Sequence, residues 1–277
     1  MGKKRILAAL LVGAIALAAS ALDARLAVRE YEINAGLGAP YRIALVTDLH
    51  SCSYGKNQQT LIDAVRSLSP DAVLLGGDIF DDGMPNDNAA AFLSVIAAEL
   101  PCYYVTGNHE YWAGETGFSG MMDILADCGV TVLSGGSTEL APGLVLSGID
   151  DPVRYLNDGD KGGFLRDLTT LASSEALAEE SGEVFHILLS HRPEYFADYA
   201  ALGFELVLCG HAHGGQWRIP GLVNGVYAPN QGILPPYAGG MYTDGGTTML
   251  VSRGLARETT AVPRIWNRPE VVSVVLR

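Results

Sequence analysis

The stretch that most constrains this chain is Leu206-Val-Leu-Cys-Gly-His-Ala-His-Gly-Gly-Gln216. A short apolar run ends at Gly210, and two imidazoles, His211 and His213, follow on a tight, glycine-flanked turn. That is how a strand delivers metal ligands. Neutral imidazole is the commonest protein metal ligand, and ligands of open α/β sheets collect where strands end in loops. A lone His-x-His pair is weak; its weight depends on whether other strand ends do the same.

They do. Residues 42–46 (Arg-Ile-Ala-Leu-Val) predict a buried strand that runs into Thr47-Asp48-Leu49-His50. Residues 72–75 run into Gly76-Gly77-Asp78, residues 102–106 into Gly107-Asn108-His109-Glu110, and residues 184–189 into Ser190-His191-Arg192-Pro193. Apolar residues at helical spacing over 57–68, 88–100, 118–128 and from 193 to about 202 predict helices between them. Strand, ligand-bearing turn and helix therefore alternate, as in a layered α/β domain whose functional groups collect along one edge.

The remaining chain fits around this frame. Residues 130–133 and 144–148 read as strands joined by a Gly/Pro turn, ending in Asp150 and Asp151 as two exposed acids. Residues 153–183 are polar and helical only around 165–172, which predicts a surface excursion. Residues 30–40 read as a connecting segment. From 217 to 242 the abundance of Gly, Pro and aromatic residues suggests loops beside the site, and 247–252 and 271–276 predict closing strands.

At 277 residues and 48% hydrophobic composition the chain can bury a sizeable core. Its net charge of −13, with no basic run beyond the N-terminus, leaves no source for a phosphate-tracking groove, so no nucleic acid is expected as partner. Bound cations could attract an anionic substrate locally while the rest of the surface stays acidic. Cys52, Cys102, Cys128 and Cys209 have no Cys-x-x-Cys spacing and fit buried free thiols.

At the N-terminus, Lys3-Lys4-Arg5 precedes an uncharged run of seventeen residues, 6–22. It reads as a membrane anchor or signal segment over residues 1–30, with the domain proper over 31–277. Ala19-Ser20-Ala21 offers a small-x-small cleavage pattern, so secretion after cleavage is the alternative to an uncleaved anchor. Positive charge before the run predicts an extracytoplasmic domain, although Arg25 and Arg29 blunt the asymmetry.

Of six histidines, five (His50, His109, His191, His211 and His213) sit at predicted strand exits, beside Asp48, Asp78 and Asn108. A donor set of imidazole, carboxylate and amide oxygen without thiolate suits Mn, Fe, Zn or Co. His186 alternates with residues of a buried strand and fits a core position. Arg192 and Arg253 could contact phosphate oxygens, but structural ion pairing would equally account for them. Lys56 and Asn57 could reach the site or simply start a solvated helix, and Glu110 could orient its neighbours.

In order, Asp48-x-His50, Gly77-Asp78, Gly107-Asn-His-Glu110, Ser190-His191 and Gly210-His-x-His213 resemble the calcineurin-like metallophosphoesterase superfamily. The later Gly214-Gly-Gln216, Tyr227-Ala-Pro-Asn230, Val251-Ser-Arg-Gly254 and Arg268-Pro-Glu270 look like its bacterial branch with an N-terminal membrane segment. The resemblance implies a four-layer α/β/β/α sandwich of two mixed sheets with a dinuclear metal site at strand-end loops. Asp48, His50 and His213 would bind one divalent ion, Asn108, His191 and His211 the other, and Asp78 would bridge. His109 would protonate the leaving oxygen or stabilise the transition state.

Two metals can lower the pKa of a shared water and stabilise both the attacking and the leaving oxygen, so a hydroxide between them would attack phosphorus in line. The expected function is a metal-dependent phosphohydrolase of phosphodiesters or pyrophosphates. Its substrate would be a phosphorylated small molecule or a lipid-linked one of the UDP-diacylglucosamine type, with no obligate protein partner. A broad phosphatase or a nuclease of the same superfamily is the alternative; a nuclease predicts a basic track or capping domain, and neither is present in the sequence. A non-catalytic metal-binding envelope protein would be expected to lack a ligand or His109, and none is missing.

Overall fold

The computed structural model describes residues 2–179, 184–257 and 262–277. Its helices are α1 (Gly2–Ala21), α2 (Gln59–Ser67), α3 (Asp87–Ile96), α4 (Asn108–Trp112), α5 (Gly114–Asp127), α6 (Pro152–Asn157), α7 (Gly163–Glu179) and α8 (Phe196–Ala201). The strands in the first half are β1 (Ala27–Ile33), β2 (Tyr41–Val46), β3 (Ala72–Gly76), β4 (Cys102–Val105), β5 (Thr131–Val132), β6 (Gly136–Ala141) and β7 (Leu144–Gly148). The second half adds β8 (Phe185–Leu189), β9 (Leu206–Cys209), β10 (Tyr227–Ala228), β11 (Gly232–Ile233), β12 (Gly240–Asp244), β13 (Thr247–Val251) and β14 (Glu270–Leu276).

Two six-stranded sheets run β1-β14-β2-β3-β4-β5 and β12-β13-β9-β8-β7-β6, with β10 and β11 a separate hairpin. Both sheets are mixed: β2, β3, β4 and β5 are mutually parallel beside antiparallel β14, and β13, β9, β8 and β7 are parallel between antiparallel β12 and β6.

Alternation along the strands explains the layers, since successive side chains point to opposite faces. On β2, Ile43 and Leu45 join Leu74, Leu146, Ile187, Leu189, Leu208 and Val274 in a core between the sheets. Ala44 and Val46 instead pack with Leu61, Ile62, Phe92, Leu93 and Leu125 from α2, α3 and α5. On the far face Leu188, Val207, Met249 and Val251 pack with Tyr155, Phe164, Leu168, Leu171, Phe196 and Tyr199 from α6, α7 and α8. The result is the expected α/β/β/α sandwich. Each fully buried Leu or Ile is worth about 1.5–3 kcal/mol, so these three seams, far more than surface ion pairs, hold the layers together.

Several local expectations change. Residues 27–33 form an edge strand, β1, pairing parallel with β14, which overlaps the start of the connecting segment expected over 30–40. Strand β5 closes one sheet while β7 lies in the other, so residues 130–133 and 144–148 are not a pair; the chain crosses between sheets there. The stretch 153–183 is no surface excursion: α6 and α7 bury Tyr155, Phe164, Leu168 and Leu171 as the outer helical layer, and residues 180–183 lie outside the described residues. Asp150 and Asp151 are buried, not exposed.

The membrane-anchored, extracytoplasmic localisation is corrected as well. Among the described residues no helix is long and apolar enough to cross a membrane. The last turn of α1 is tied to the body, where Trp266 N–H donates to the Ala21 carbonyl.

Candidate metal centre

Because β2, β3 and β4 are parallel in one sheet and β7, β8 and β9 in the other, their carboxyl ends can share one edge of the sandwich. Every predicted ligand lies just past one of these ends: Asp48 and His50 after β2, Asp78 after β3, Asn108 after β4, His191 after β8, and His211 and His213 after β9.

The exits are sharply bent. Asp48, His50, Asp78, His211 and His213 all have left-handed φ between 47° and 66°, a conformation that costs a non-glycine residue about 1–2 kcal/mol. Such strain persists only where the surroundings over-determine it, and it clusters at functional sites. The loops are zipped together by backbone bonds from Asp48 N to Gly77 O (3.0 Å), His50 N to Asp78 O (2.9 Å) and Ser51 N to Ile79 O (3.1 Å). Two glycines allow the close approach: a Cβ on Gly77 (φ 85°) would stand 2.6 Å from His191 Nδ1, and one on Gly107 would stand 2.2 Å from Asp78 Oδ1.

The donors converge in two groups that share one residue. One donor atom each from Asp48, His50, Asp78 and His213 lies within 4.8 Å of the others, and the same holds for Asp78, His191 and His211. Asp78 Oδ2 stands between the groups, 3.6 Å from His50 Nε2 and 3.1 Å from His191 Nε2. Asp48 Oδ1 is 3.5 Å from His213 Nε2. Asn108 opens α4, and the N–H of its neighbour His109 donates to Asp78 Oδ1 at 2.9 Å. Asp48 Oδ2, His50 Nε2 and Asn108 Oδ1 are buried with no hydrogen-bond partner. Buried polar atoms are seldom left so, and orphans that gather in one place suit the coordination of a cation.

Charge points the same way. Burial pushes the Asp48 carboxyl up. Burial opposes charge on His191 too, but the Asp78 carboxylate outweighs it and pushes this imidazole up to about 10. His50 is likewise raised, burial being overcome by its hydrogen bond with Asp81 and by Asp78. Burial, together with the neighbouring Arg192 and His50 respectively, holds His211 and His213 well below their ordinary value. The carboxylates that raise His191 and His50 would attract a divalent ion in the same way, and the ion would compete with protons for these rings.

A second layer orients the donors, and most of it escaped sequence reasoning. His191 Nδ1 is 2.8 Å from the Gly76 carbonyl, and His50 Nδ1 is 2.9 Å from Asp81 Oδ2, so each ring turns Nε2 inward. His109 Nδ1 lies 2.5 Å from Asp82 Oδ1, its ring edge-on to His50 at 4.3 Å. Asp81 and Asp82, three and four residues past Asp78, could have been suspected from proximity alone. Glu110 accepts N–H bonds from Asp78, Ile79, Phe80 and Gly107, joining the β3 and β4 exits.

Arg192 is engaged by Asp151, with Nη2 3.0 Å from Oδ1 and Nε also bonded, and by Asn230 Oδ1 at 2.6 Å. Arg253 pairs with Glu270 at 3.2 Å. Both arginines therefore have structural partners. Lys56 is exposed, and His186 is buried on β8, as expected of a core position. Cys52, Cys102 and Cys209 are buried free thiols, and Cys128 is partly buried.

A sandwich of two mixed sheets bearing an Asp/His cluster of this composition at its carboxyl edge defines a metal-dependent phosphoester hydrolase. The calcineurin-like phosphoesterase family matches residues 41–215, and the chain belongs to that family. It is 31% identical over 214 residues to an uncharacterized metallophosphoesterase of Aquifex aeolicus (strain VF5), covering 75% of this chain and 73% of that one. It is 28% identical over 243 residues to the phosphodiesterase YaeI of Escherichia coli (strain K12), covering 86% and 83%. Among solved structures, GAP50, the anchor in the inner membrane complex of Plasmodium, shares the fold with a TM-score of 0.52 at 13% identity over 85% of this chain and 81% of that one.

Proposed function

We propose that this chain hydrolyses phosphodiester or pyrophosphate bonds with two divalent cations. Asp48, His50 and His213 would hold one ion, Asn108, His191 and His211 the other, and Asp78 would hold both. The observation that carries this reading is the placement of Asp78 Oδ2 between His50 Nε2 and His191 Nε2, one oxygen common to two donor groups. When bound, a metal pair supplies a nucleophilic water at neutral pH and offsets charge on the phosphoryl oxygens. The protein's own part is to hold that geometry through the second layer and to supply a proton. With Nδ1 of His109 held by Asp82, Nε2 is the nitrogen left to protonate a leaving oxygen. The side chain is partly exposed, which suits a group that meets substrate.

A diester substrate is supported by the name of the Escherichia coli relative. A lipid-linked substrate, of the UDP-diacylglucosamine type, is supported by an apolar shelf that begins two residues after His213. There Gly215, Trp217, Val226, Tyr227 and Val262 line a hollow of about 230 Å³, and Ile233 and Leu234 stand exposed nearby in sequence.

The test is hydrolysis of a bis-aryl phosphodiester and an aryl phosphomonoester by metal-free protein titrated with Mn and other divalent ions. Metal-dependent turnover, abolished in Asp78→Asn, is expected, with the diester preferred. His109→Ala should keep its metals and lose most activity on poor leaving groups; unchanged turnover there removes the acid role. No turnover with both metals bound, on aryl and on long-chain acyl diesters alike, would sink the hydrolase reading.

A further inference from the structure

His211 presents Nδ1 to the centre, 3.2 Å from His191 Nε2. A neutral imidazole that gives one nitrogen to a cation carries its proton on the other, and that N–H needs an acceptor. Two groups reach His211 Nε2: Arg192 Nη1 at 2.8 Å and Asn230 Oδ1 at 2.9 Å. A guanidinium has donors only, so Arg192 Nη1 can donate to a bare Nε2 but cannot accept from it, and it gives way once a cation at Nδ1 puts the proton on Nε2. Asn230 Oδ1 can accept from the protonated Nε2. Its identity as oxygen follows from the same network, because Arg192 Nη1 donates to it at 2.6 Å and an amide NH2 there would face a second donor.

Asn230 is itself held in place. Arg192 is fixed by Asp151, and its carbonyl accepts from the Tyr199 hydroxyl at 2.7 Å. The Asn230 backbone is left-handed (φ 59°) at the turn between β10 and β11. The next residue, Gln231, ties that turn to residue 237 through bonds to Tyr237 N (2.9 Å) and Tyr237 O (3.1 Å). We infer that Asn230 is the positioning residue of the second cation: it fixes the proton of His211 on Nε2 and aims Nδ1 at the metal. It also couples that ion to the β10–β11 hairpin. The inference rests on the reading that Asp78, His191 and His211 hold a divalent ion.

The test is Mn binding to metal-free full-length protein, followed by calorimetry and by the spin coupling of a Mn pair in electron paramagnetic resonance. Wild type should bind two ions. Asn230→Ala should weaken one of them by about 10–100-fold, the usual effect of removing an outer-layer partner of a ligand, and leave the other unchanged. Asn230→Gly removes the amide without straining the left-handed backbone and should match Asn230→Ala, while Asn230→Asp keeps an oxygen acceptor and should stay within a few-fold of wild type.

Hydrogen exchange of amides 227–233 should slow on Mn binding in wild type and not in Asn230→Gly. If wild type binds fewer than two ions, the dinuclear reading itself fails. If wild type binds two and Asn230→Gly binds both as tightly, or loses both equally, the positioning role of Asn230 is overturned.

Discussion

Substituting Glu110 by Gln tests whether the two ligand-bearing exits are held by a single buried carboxylate. Oε2 accepts from Asp78 N at 3.2 Å and Gly107 N at 2.8 Å, and Oε1 from Ile79 N at 3.0 Å and Phe80 N at 3.3 Å. A glutamine has one oxygen and so can serve only one of these pairs; its NH2 would point at the other two donors. Leaving a buried donor without an acceptor costs about 1–3 kcal/mol, so two of them should cost ~2–6 kcal/mol. That is a large share of a total stability of about 5–15 kcal/mol. Burial, then the charge of Asp78, pushes the Glu110 carboxyl up to about 7, so the comparison belongs near pH 8, where the carboxylate is present. Urea unfolding of metal-free Glu110→Gln and wild type reads the loss directly, provided the two slopes agree. A loss under about 1 kcal/mol would refute the argument, because the four bonds would then not be the buried, mutually exclusive contacts described.

Three further outcomes follow from the same geometry. Metal affinity should rise with pH and fall in acid, because a cation must displace the protons of His191, pushed up to about 10, and of His50; calorimetry in buffers of different ionisation enthalpy should show proton release, and a pH-independent affinity would contradict it. In the metal-free protein the sign reverses for stability. The folded His191 imidazole titrates above its ordinary value of about 6.5, so that contribution is full below about 6.5 and fades as pH climbs through about 10. Gly77→Ala places a Cβ 2.6 Å from His191 Nδ1 at φ 85°. It should lose about 2–5 kcal/mol from left-handed strain and overpacking and weaken metal binding, and an unchanged denaturation midpoint would count against the close-approach argument.

The turns that carry the candidate ligands were legible as strand exits because their signal is local. Apolar runs of strand length, each ending in a short polar or glycine-containing turn that carries an acid, an amide or an imidazole, mark Asp48, His50, Asp78, Asn108, His191, His211 and His213 as candidates without knowledge of pairing. Helices α2, α3 and α5 were legible for the same reason, through their spacing of apolar residues. Strand β1 was not: an edge strand with most side chains exposed carries little hydrophobic pattern. The N-terminal run misled in the other direction: its composition suggested an anchor, whereas among the described residues no helix is long and apolar enough to cross a membrane.

What the sequence by itself determined, then, is which residues leave strands as potential ligands, and the alternation of strand and helix that gathers them on one edge. Only the tertiary structure decided that β5 and β7 belong to different sheets, that Asp151 is buried against Arg192, that Asp82 meets His109, and that Asn230 reaches His211. The division is physical. Periodicity and turn chemistry act within a few residues and are written in local order, whereas sheet membership and the partner of a buried donor depend on which distant groups packing brings within hydrogen-bond reach.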